Sequence, residues 1–200
     1  MSYPPSKPGT EADYLAFDAG YEYKSEYAKG KIWILSGVSY AHNLISTGTL
    51  MGLHMQAQDR TDIELFASRL RIKVLPTGSF RYPDLMVIKG KSQIIEDIEQ
   101  DTIINPTVLI EILDEESYGV DTIDKSFEYR RIASLQDYLI IAQNAPHIMH
   151  YQRVSTDDTK WKIDDYTSLD DVIELPAIGC TLKLSDIYRR IDFDDDETDT

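Results

Sequence analysis

Cysteine and long apolar runs are both scarce in this chain of 200 residues. Cys180 is the single cysteine, which excludes a disulfide framework within the chain and favours a reducing compartment. No stretch approaches the roughly 18 consecutive apolar residues that cross a bilayer, and the Pro-rich start lacks the apolar segment of a secretory signal. We therefore expect a soluble cytoplasmic protein with no membrane partner.

Positive charge is also scarce. Lys and Arg number 20 against 35 Asp and Glu, so the formal net charge is −15. Proteins that grip nucleic acid through its phosphates usually carry a positive field, so any such surface here must be local. Residues 192–200 hold six of the acids and no base, which predicts a solvated, disordered tail because like charges repel. The alternative is a tail that shields a basic cleft, as a nucleic-acid mimic does.

The length and apolar content indicate a single domain that needs neither disulfides nor a structural metal. We expect a flexible N-terminus over residues 1–10, one domain over 11–191 and the disordered acidic tail over 192–200. Periodicity predicts helices, a hairpin about residues 29–30 and strands. The helices are at 11–17, 39–58 and 121–132, and the strands at 63–74, 82–88, 107–113, 138–142, 147–153 and 160–164. This order favours an α/β or α+β fold with a mixed sheet.

Two acidic residues, Asp84 and Glu111, lie in nearly continuous apolar runs. Such runs are typical of central strands that are covered on both faces. An unpaired carboxylate there costs several kcal/mol, so each charge needs compensation. The two residues are 27 positions apart, which leaves room for them to converge at the ends of neighbouring strands.

A divalent cation and a nearby ammonium group would supply this compensation. Two hard oxygen ligands suit Mg²⁺, with Mn²⁺ as an alternative. Lys125 lies on a predicted helix, on the same face as Asp121 and Tyr129, and a lysine there can stabilise charge on a metal-bound phosphate. Two other interpretations remain open: Asp84 ends a strand in a turn, and Glu111 forms a salt bridge with Lys125 without a catalytic role.

The histidines do not form a metal set by spacing. His42 and His54 lie about 120° apart around a helix, and His147 and His150 fall on opposite faces of a strand. We expect structural or surface roles for them, with His42, near the expected cleft, as the exception. The sequence contains no nucleophile elbow, P-loop or dinucleotide fingerprint.

Basic residues near this region are candidates for substrate contact. Arg69, Arg71 and Lys73 share one face of a predicted strand by alternation. This stripe is either a phosphate-binding surface or a solvated face that balances nearby acids. The other candidates are Arg81, Lys89, Lys91, Arg130 and Arg131.

Four short strings are recognisable: YPD at 82–84, NPTVLIEIL at 105–113, DKSFEYRR at 124–131 and SLQDY at 134–138. Together they resemble the Uma-type restriction endonuclease family of the PD-(D/E)xK nuclease superfamily, over about residues 21–188. The resemblance implies a restriction-endonuclease-like core, with helices that flank a central sheet and an added N-terminal hairpin. It also implies that Asp84 and Glu111 bind the metal and that the backbone carbonyl of Ile112 is a further ligand. Glu26 on the hairpin would add a water-mediated metal contact; the alternative is a solvent-facing strand residue.

The chain departs from the family pattern at three places. Leu113 stands where the superfamily lysine is expected, and the resemblance implies that this lysine has moved to the following helix as Lys125. Lys29 and Lys31 replace an acidic pair of the hairpin. The turn at 114–117 carries three acids, which would repel DNA unless they point away or attract a further cation.

These observations predict a Mg²⁺-dependent endonuclease that acts on DNA, with Asp84, Glu111, Lys125 and Glu26 as its catalytic residues. We expect a homodimer, because two sites are the simplest way to cut two strands. One alternative is a catalytically silent nuclease fold that serves as a binding or interaction module. Another is a metal-dependent hydrolase of a different phosphoester on the same core.

Overall fold

The computed structural model describes residues 7–20, 23–35, 37–67, 70–96, 101–114, 120–154 and 160–193. The helices in these ranges are α1 (Glu11–Ala19), α2 (Tyr40–Ala57), α3 (Val120–Tyr129) and α4 (Leu184–Ile187). The strands are β1 (Lys7–Pro8), β2 (Ser25–Ala28), β3 (Lys31–Ile34), β4 (Ile63–Ala67), β5 (Arg71–Val74), β6 (Ser79–Arg81), β7 (Leu85–Lys89), β8 (Ile94–Glu96), β9 (Asp101–Ile103), β10 (Val108–Leu113), β11 (Asp137–Ala142), β12 (Ile148–Arg153), β13 (Trp161–Tyr166), β14 (Val172–Leu175) and β15 (Cys180–Lys183).

Six strands form a central sheet in the order β13, β12, β11, β10, β7 and β4. The β10–β11 pair is parallel and the other pairs are antiparallel. A parallel neighbour requires a crossover connection, and α3 lies in the segment between these two strands. The mixed sheet and the α+β class predicted from the sequence are confirmed.

The central sheet separates two apolar cores. Strand β7 shows why: Leu85 and Val87 enter the core beneath α2 and α4, whereas Met86 and Ile88 enter the core on the opposite face. Strand β10 alternates in the same way. Its Glu111 therefore projects toward the second core, which α3 and part of another sheet cover.

A second sheet has the order β1, β3, β2, β6, β5, β9 and β8. It contains the predicted hairpin, whose turn residues Lys29 and Gly30 both have positive φ, as a tight two-residue hairpin turn requires. Residues 82–84 connect β6 of this sheet to β7 of the central sheet. This connection places the end of β6 next to the start of β7, so residues of the two sheets lie close together around residues 82–84.

The predicted helices are confirmed, and Ser39 caps α2 by accepting the His42 amide, as expected. The single strand predicted over 63–74 is wrong. Residues 63–67 belong to the central sheet, whereas 71–74 belong to the second sheet. The apolar pattern continues through this change of sheet, so periodicity alone did not reveal it.

The ends of the described chain are more structured than we expected. Lys7 and Pro8 pair with β3, inside the segment 1–10 that we expected to be flexible. Phe193 contacts the ring of Tyr188 edge-on, at the start of the expected acidic tail. Within the described residues, no helix is long and apolar enough to cross a membrane.

Candidate active site

The register of β7 and β10 brings Asp84 and Glu111 side by side. Leu85 pairs with Ile110 in this antiparallel ladder, so one further step places Asp84 opposite Glu111. The two residues therefore lie at neighbouring positions, and the negative charge of Asp84 acts on Glu111. A shared metal between them stays a prediction.

Both oxygens of Asp84 have a partner. Oδ2 accepts the amide of Ile112 at 2.8 Å, and Oδ1 lies 3.0 Å from Nε2 of His42. Because Ile112 follows Glu111 in the chain, this hydrogen bond holds the Asp84 carboxylate next to β10. The role of the Ile112 carbonyl as a metal ligand stays a prediction.

Glu111 is buried beneath α3, where its Oε1 accepts the Tyr129 hydroxyl at 2.8 Å. Burial raises the pKa of Glu111 to about 8; Lys125 opposes this rise, and the negative charges of Asp84 and Glu26 add to it. Without a further cation, Glu111 therefore holds a proton at neutral pH. Burial, and next the charge of Glu111, raise the pKa of Tyr129 well above its usual value, so its hydroxyl remains a donor.

Lys125 lies between two carboxylates. Its Nζ is 3.2 Å from Oε1 of Glu26 and 3.5 Å from Oε1 of Glu111. Lys125 and Tyr129 are one helical turn apart on α3 and face the site together, as their spacing predicted. The ammonium group of Lys125 thus joins the hairpin, the central sheet and α3 at a single point.

Glu26 is 2% exposed, which makes the solvent-facing interpretation of this residue wrong. Its Oε2 is 2.9 Å from Nη1 of Arg81, and its Oε1 accepts the amide of Tyr82 at 3.1 Å. Burial alone would raise the pKa of Glu26, but Lys125 and Arg81 outweigh it and lower that pKa. Glu26 therefore stays ionised beside Lys125.

Arg81 does not lie on a substrate-facing surface. Its guanidinium is buried between Glu26 and Glu128, and its Nε is 3.1 Å from Oε2 of Glu128. This placement contradicts the expected substrate contact, because both carboxylates engage the guanidinium inside the protein. Arg81 instead compensates two buried charges that flank the site.

Arg71 also contradicts the expected exposed basic stripe. Its side chain is 1% exposed, and its Nη1 lies 2.8 Å from Oδ2 of Asp18. Asp18 accepts the Tyr82 hydroxyl at 2.7 Å as well, so Arg71 supports the link that carries Asp84. Lys73 is half-buried and bonds to Glu11 at 2.5 Å. Arg69 lies outside the described residues.

The remaining basic candidates lie nearer the surface. Lys89 donates to the carbonyl of Ala177 at 2.7 Å. The half-buried guanidinium of Arg130 stacks over the rings of Phe127 and Tyr151. Lys91 and Arg131 are exposed.

Lys29 fastens the hairpin to α3. Its Nζ lies 2.6 Å from Oδ2 of Asp124, the residue before Lys125. One of the two lysines that depart from the family pattern is therefore an ion-pair partner at the edge of the site. The acidic turn lies mostly outside the described residues, apart from Asp114.

Sequence reasoning missed Glu128, and it gave Arg81 a substrate contact in place of its buried ion pairs. It placed Tyr129 on the same helix face as Lys125 but did not identify it as a partner of Glu111. The spacing of Tyr129 from Lys125 was a signal, because residues four apart share a helix face. No local pattern pairs Glu128 with Arg81, which lies 47 positions earlier. His42, which we had kept as an exception among the histidines, contacts Asp84.

The donor set fits a hard divalent cation. Four carboxylates surround two permanent cations, which leaves two negative charges when all are ionised; the acids are Glu26, Asp84, Glu111 and Glu128, and the cations are Arg81 and Lys125. Over the described ranges, no three His, Cys, Asp or Glu side chains could hold an ion by themselves. A cation here would therefore take further ligands from backbone carbonyls, water or a substrate phosphate, as Mg²⁺ does in many sites.

The fold indicates the structural class of this protein. It is similar to the crystal structure of a protein from Anabaena variabilis described as "a putative nuclease belonging to DUF820", with a TM-score of 0.70 and 18% identity over 91% of this chain and 98% of that one. This likeness shows a nuclease fold. Residues 11–185 match the Uma2 family, described as "Putative restriction endonuclease", and the chain belongs to that family.

Two relatives from Synechocystis sp. are similar over most of their length. The uncharacterised protein sll1609 is 33% identical over 156 residues, which cover 78% of this chain and 86% of the relative. The uncharacterised protein slr1290 is 29% identical over 183 residues, which cover 90% of this chain and 92% of the relative. The family resemblance found in the sequence is thereby confirmed.

Proposed function

We propose that this protein is a Mg²⁺-dependent endonuclease that hydrolyses phosphodiester bonds of DNA and accepts Mn²⁺ as a substitute. The observation that carries this proposal is the convergence of Asp84 and Glu111 beside Lys125. A carboxylate on β10 and one just before β7, with a buried ammonium group 3.5 Å from the first of them, supply the groups that phosphoryl hydrolysis needs. Membership of a restriction endonuclease family supports the same conclusion.

Asp84 and Glu111 hold the cation in this proposal, and the carbonyl of Ile112 is a further ligand. The bound ion would lower the pKa of an attacking water and offset charge on the scissile phosphate. Lys125 stabilises the negative charge that develops on the phosphate oxygens. Its link to Glu26 keeps the ammonium group near the phosphate.

Glu26 acts through Lys125 and the cation rather than as a base. Because Arg81 holds one of its oxygens, the other oxygen meets Lys125 in a fixed orientation. The hairpin therefore contributes a stationary negative charge that orients Lys125. A water-mediated contact from Glu26 to the cation remains part of the proposal.

The test is calorimetric titration of Mg²⁺ and Mn²⁺ at pH 8, with plasmid nicking on the same samples. The variant is Asp84→Ala, and the matched control is Asp59→Ala, which removes an exposed aspartate just after α2. We expect metal uptake and nicking to vanish in Asp84→Ala and to persist in the control. Nicking that is equal in Asp84→Ala and the unmodified protein would overturn the proposal.

Groups of the protein itself already compensate the charges of these carboxylates. This favours one competing function, an interaction module without catalysis. Glu111 holds a proton at neutral pH, and Lys125 and His42 each contact a carboxylate. Under this alternative, neither ion binds and no plasmid is nicked in any sample. Metal-dependent hydrolysis of a small phosphoester that DNA does not inhibit would instead indicate a different hydrolase.

We also propose that the protein is a cytoplasmic homodimer formed through the outer face of α2. This 18-residue helix contains no Asp, Glu, Lys or Arg, so two acidic chains can approach there with little repulsion. Met51 and Met55 are 50% and 60% exposed on that face. A groove of about 550 Å³ beside them runs along α4.

A further inference from the structure

We infer that His42 is a positioning residue that holds the carboxylate of Asp84 in the orientation that binds the cation. The inference rests on the proposed function, since it assigns a role beside the same metal ligand. It goes beyond that function because the family resemblance assigns no role to a histidine at this position.

Two donors fix the plane of the Asp84 carboxylate. Nε2 of His42 lies 3.0 Å from Oδ1, and the Ile112 amide donates to Oδ2 at 2.8 Å. One donor per oxygen leaves lone pairs on both oxygens for a cation. A carboxylate with a single donor could rotate about its terminal torsion, which is a soft one.

The backbone beneath His42 is itself fixed. His42 lies in the first turn of α2, and its amide donates to the capping hydroxyl of Ser39 at 3.0 Å. Its imidazole is buried against the sheet, with its side chain 9% exposed. A ring on a capped helix start can therefore hold its donor at a constant position.

The surroundings also select the tautomer of His42. Its Nδ1 is buried and has no hydrogen-bond partner in the part of the chain that the structure describes. A proton on Nδ1 would leave a buried donor unsatisfied and would point a bare Nε2 lone pair at the carboxylate. A ring with its proton on Nε2 donates to Asp84 and leaves only an acceptor unpaired at Nδ1.

Loss of such an outer partner typically weakens metal binding by about 10–100-fold. We expect His42→Ala to lower Mn²⁺ affinity by this amount in calorimetric titration at pH 8. His42→Gln should restore most of the affinity, because the glutamine amide nitrogen reaches the position of Nε2. His42→Asn should not, because its amide matches the unpaired Nδ1. His54→Ala is the control, since it removes an exposed histidine from the same helix.

A metal-free measurement separates this inference from the proposed function. Nitrogen-15 NMR of the imidazole rings in EDTA should show His42 with its proton on Nε2, and Asp84→Ala should alter that signal. A proton on Nδ1, or equal Mn²⁺ affinity in His42→Ala and the unmodified protein, would overturn the role of His42. If the unmodified protein binds no metal while the His42 signal responds to Asp84→Ala, the proposed function fails and the hydrogen bond stands.

Discussion

At the residue scale, the fold changes the charge state of Glu111 near neutral pH. Its pKa is raised from the ordinary 4.5 to about 8, chiefly by burial. The folded protein therefore binds a proton at this position over a pH range in which the unfolded chain has released it. The stabilisation of the folded state by this bound proton is fully present below about pH 4.5. It is lost as the pH rises through about 8.

Replacement of Glu111 by glutamine should remove this pH dependence. In EDTA, the free energy of unfolding of the unmodified protein should fall between pH 5 and pH 8, relative to that of Glu111→Gln, by a few kcal/mol. Urea denaturation at several pH values measures the difference. Glu174→Gln, at an exposed position on β14, should follow the unmodified protein. A constant difference between Glu111→Gln and the unmodified protein would contradict the assignment.

Arg81 should contribute strongly to the free energy of unfolding. Arg81→Ala leaves Glu26 and Glu128 buried without their shared cation, and such a loss typically costs about 3–5 kcal/mol. Thermal unfolding at neutral pH should show a large decrease in Tm. Lys162→Ala breaks an exposed ion pair with Asp164 and should change Tm little. Similar Tm values for the two variants would contradict a role for Arg81 in compensating buried charge.

At the residue scale, the sequence revealed Asp84, Glu111 and Lys125 because a charge within an apolar run, or at helical spacing, is visible locally. It did not reveal that Arg71 and Arg81 are buried. Alternation places residues on a common face but does not say whether another element covers that face. Their partners, Asp18 and Glu128, are also far away in sequence.

At the scale of elements, α2 and α4 meet at a glycine. A Cβ on Gly48 would lie 2.9 Å from the carbonyl oxygen of Ile187, whereas a Cβ on Gly52 would meet only a Leu182 methyl group, at 3.4 Å. The backbone of α4 cannot yield as a side chain does. The close approach of the two helices therefore depends on Gly48.

Alanine substitution at the two glycines should have opposite effects. Gly48→Ala should destabilise the protein by about 1–3 kcal/mol through overpacking, partly offset by a gain in helix propensity. Gly52→Ala should be neutral or stabilising by up to about 1 kcal/mol. Denaturant unfolding of both variants measures the contrast. An equal gain in both would show that α4 moves away without cost.

The local elements were largely predictable, since caps, turn residues and periodicity are properties of short segments. The division into two sheets was not, because strand pairing depends on partners that are distant in the chain. Residues 63–67 pair with β7, whereas residues 71–74 pair with β6 and β9. Both segments carry similar apolar patterns, so no local signal marks the change of sheet.

At the scale of the whole molecule, the distribution of charge limits where two copies of the chain can associate. The net charge of −15 opposes self-association except where a surface lacks acids. The outer face of α2 is such a surface. The same helix carries His42 into the site, so a dimer through this face would join both sites to one interface.

Sedimentation equilibrium tests the proposed homodimer. The unmodified protein should sediment as a dimer at micromolar concentration, and Met51→Glu combined with Met55→Glu should shift it to a monomer through burial of charge and repulsion. Leu75→Glu alters another exposed apolar side chain, in the turn between β5 and β6, and should leave the dimer intact. A monomeric unmodified protein, or a dimeric double variant, would overturn the α2 interface.

The contact between Glu26 and Lys125 also determines when the site can form during biosynthesis. The two residues are 99 positions apart, and a ribosome adds roughly 5–20 residues per second. The hairpin therefore emerges several seconds before α3. During this interval, Glu26 lacks the ammonium group of Lys125 that offsets its charge. A nascent or prematurely terminated chain that lacks α3 cannot contain a complete site. Assembly of the site thus reports that most of the chain has already been translated.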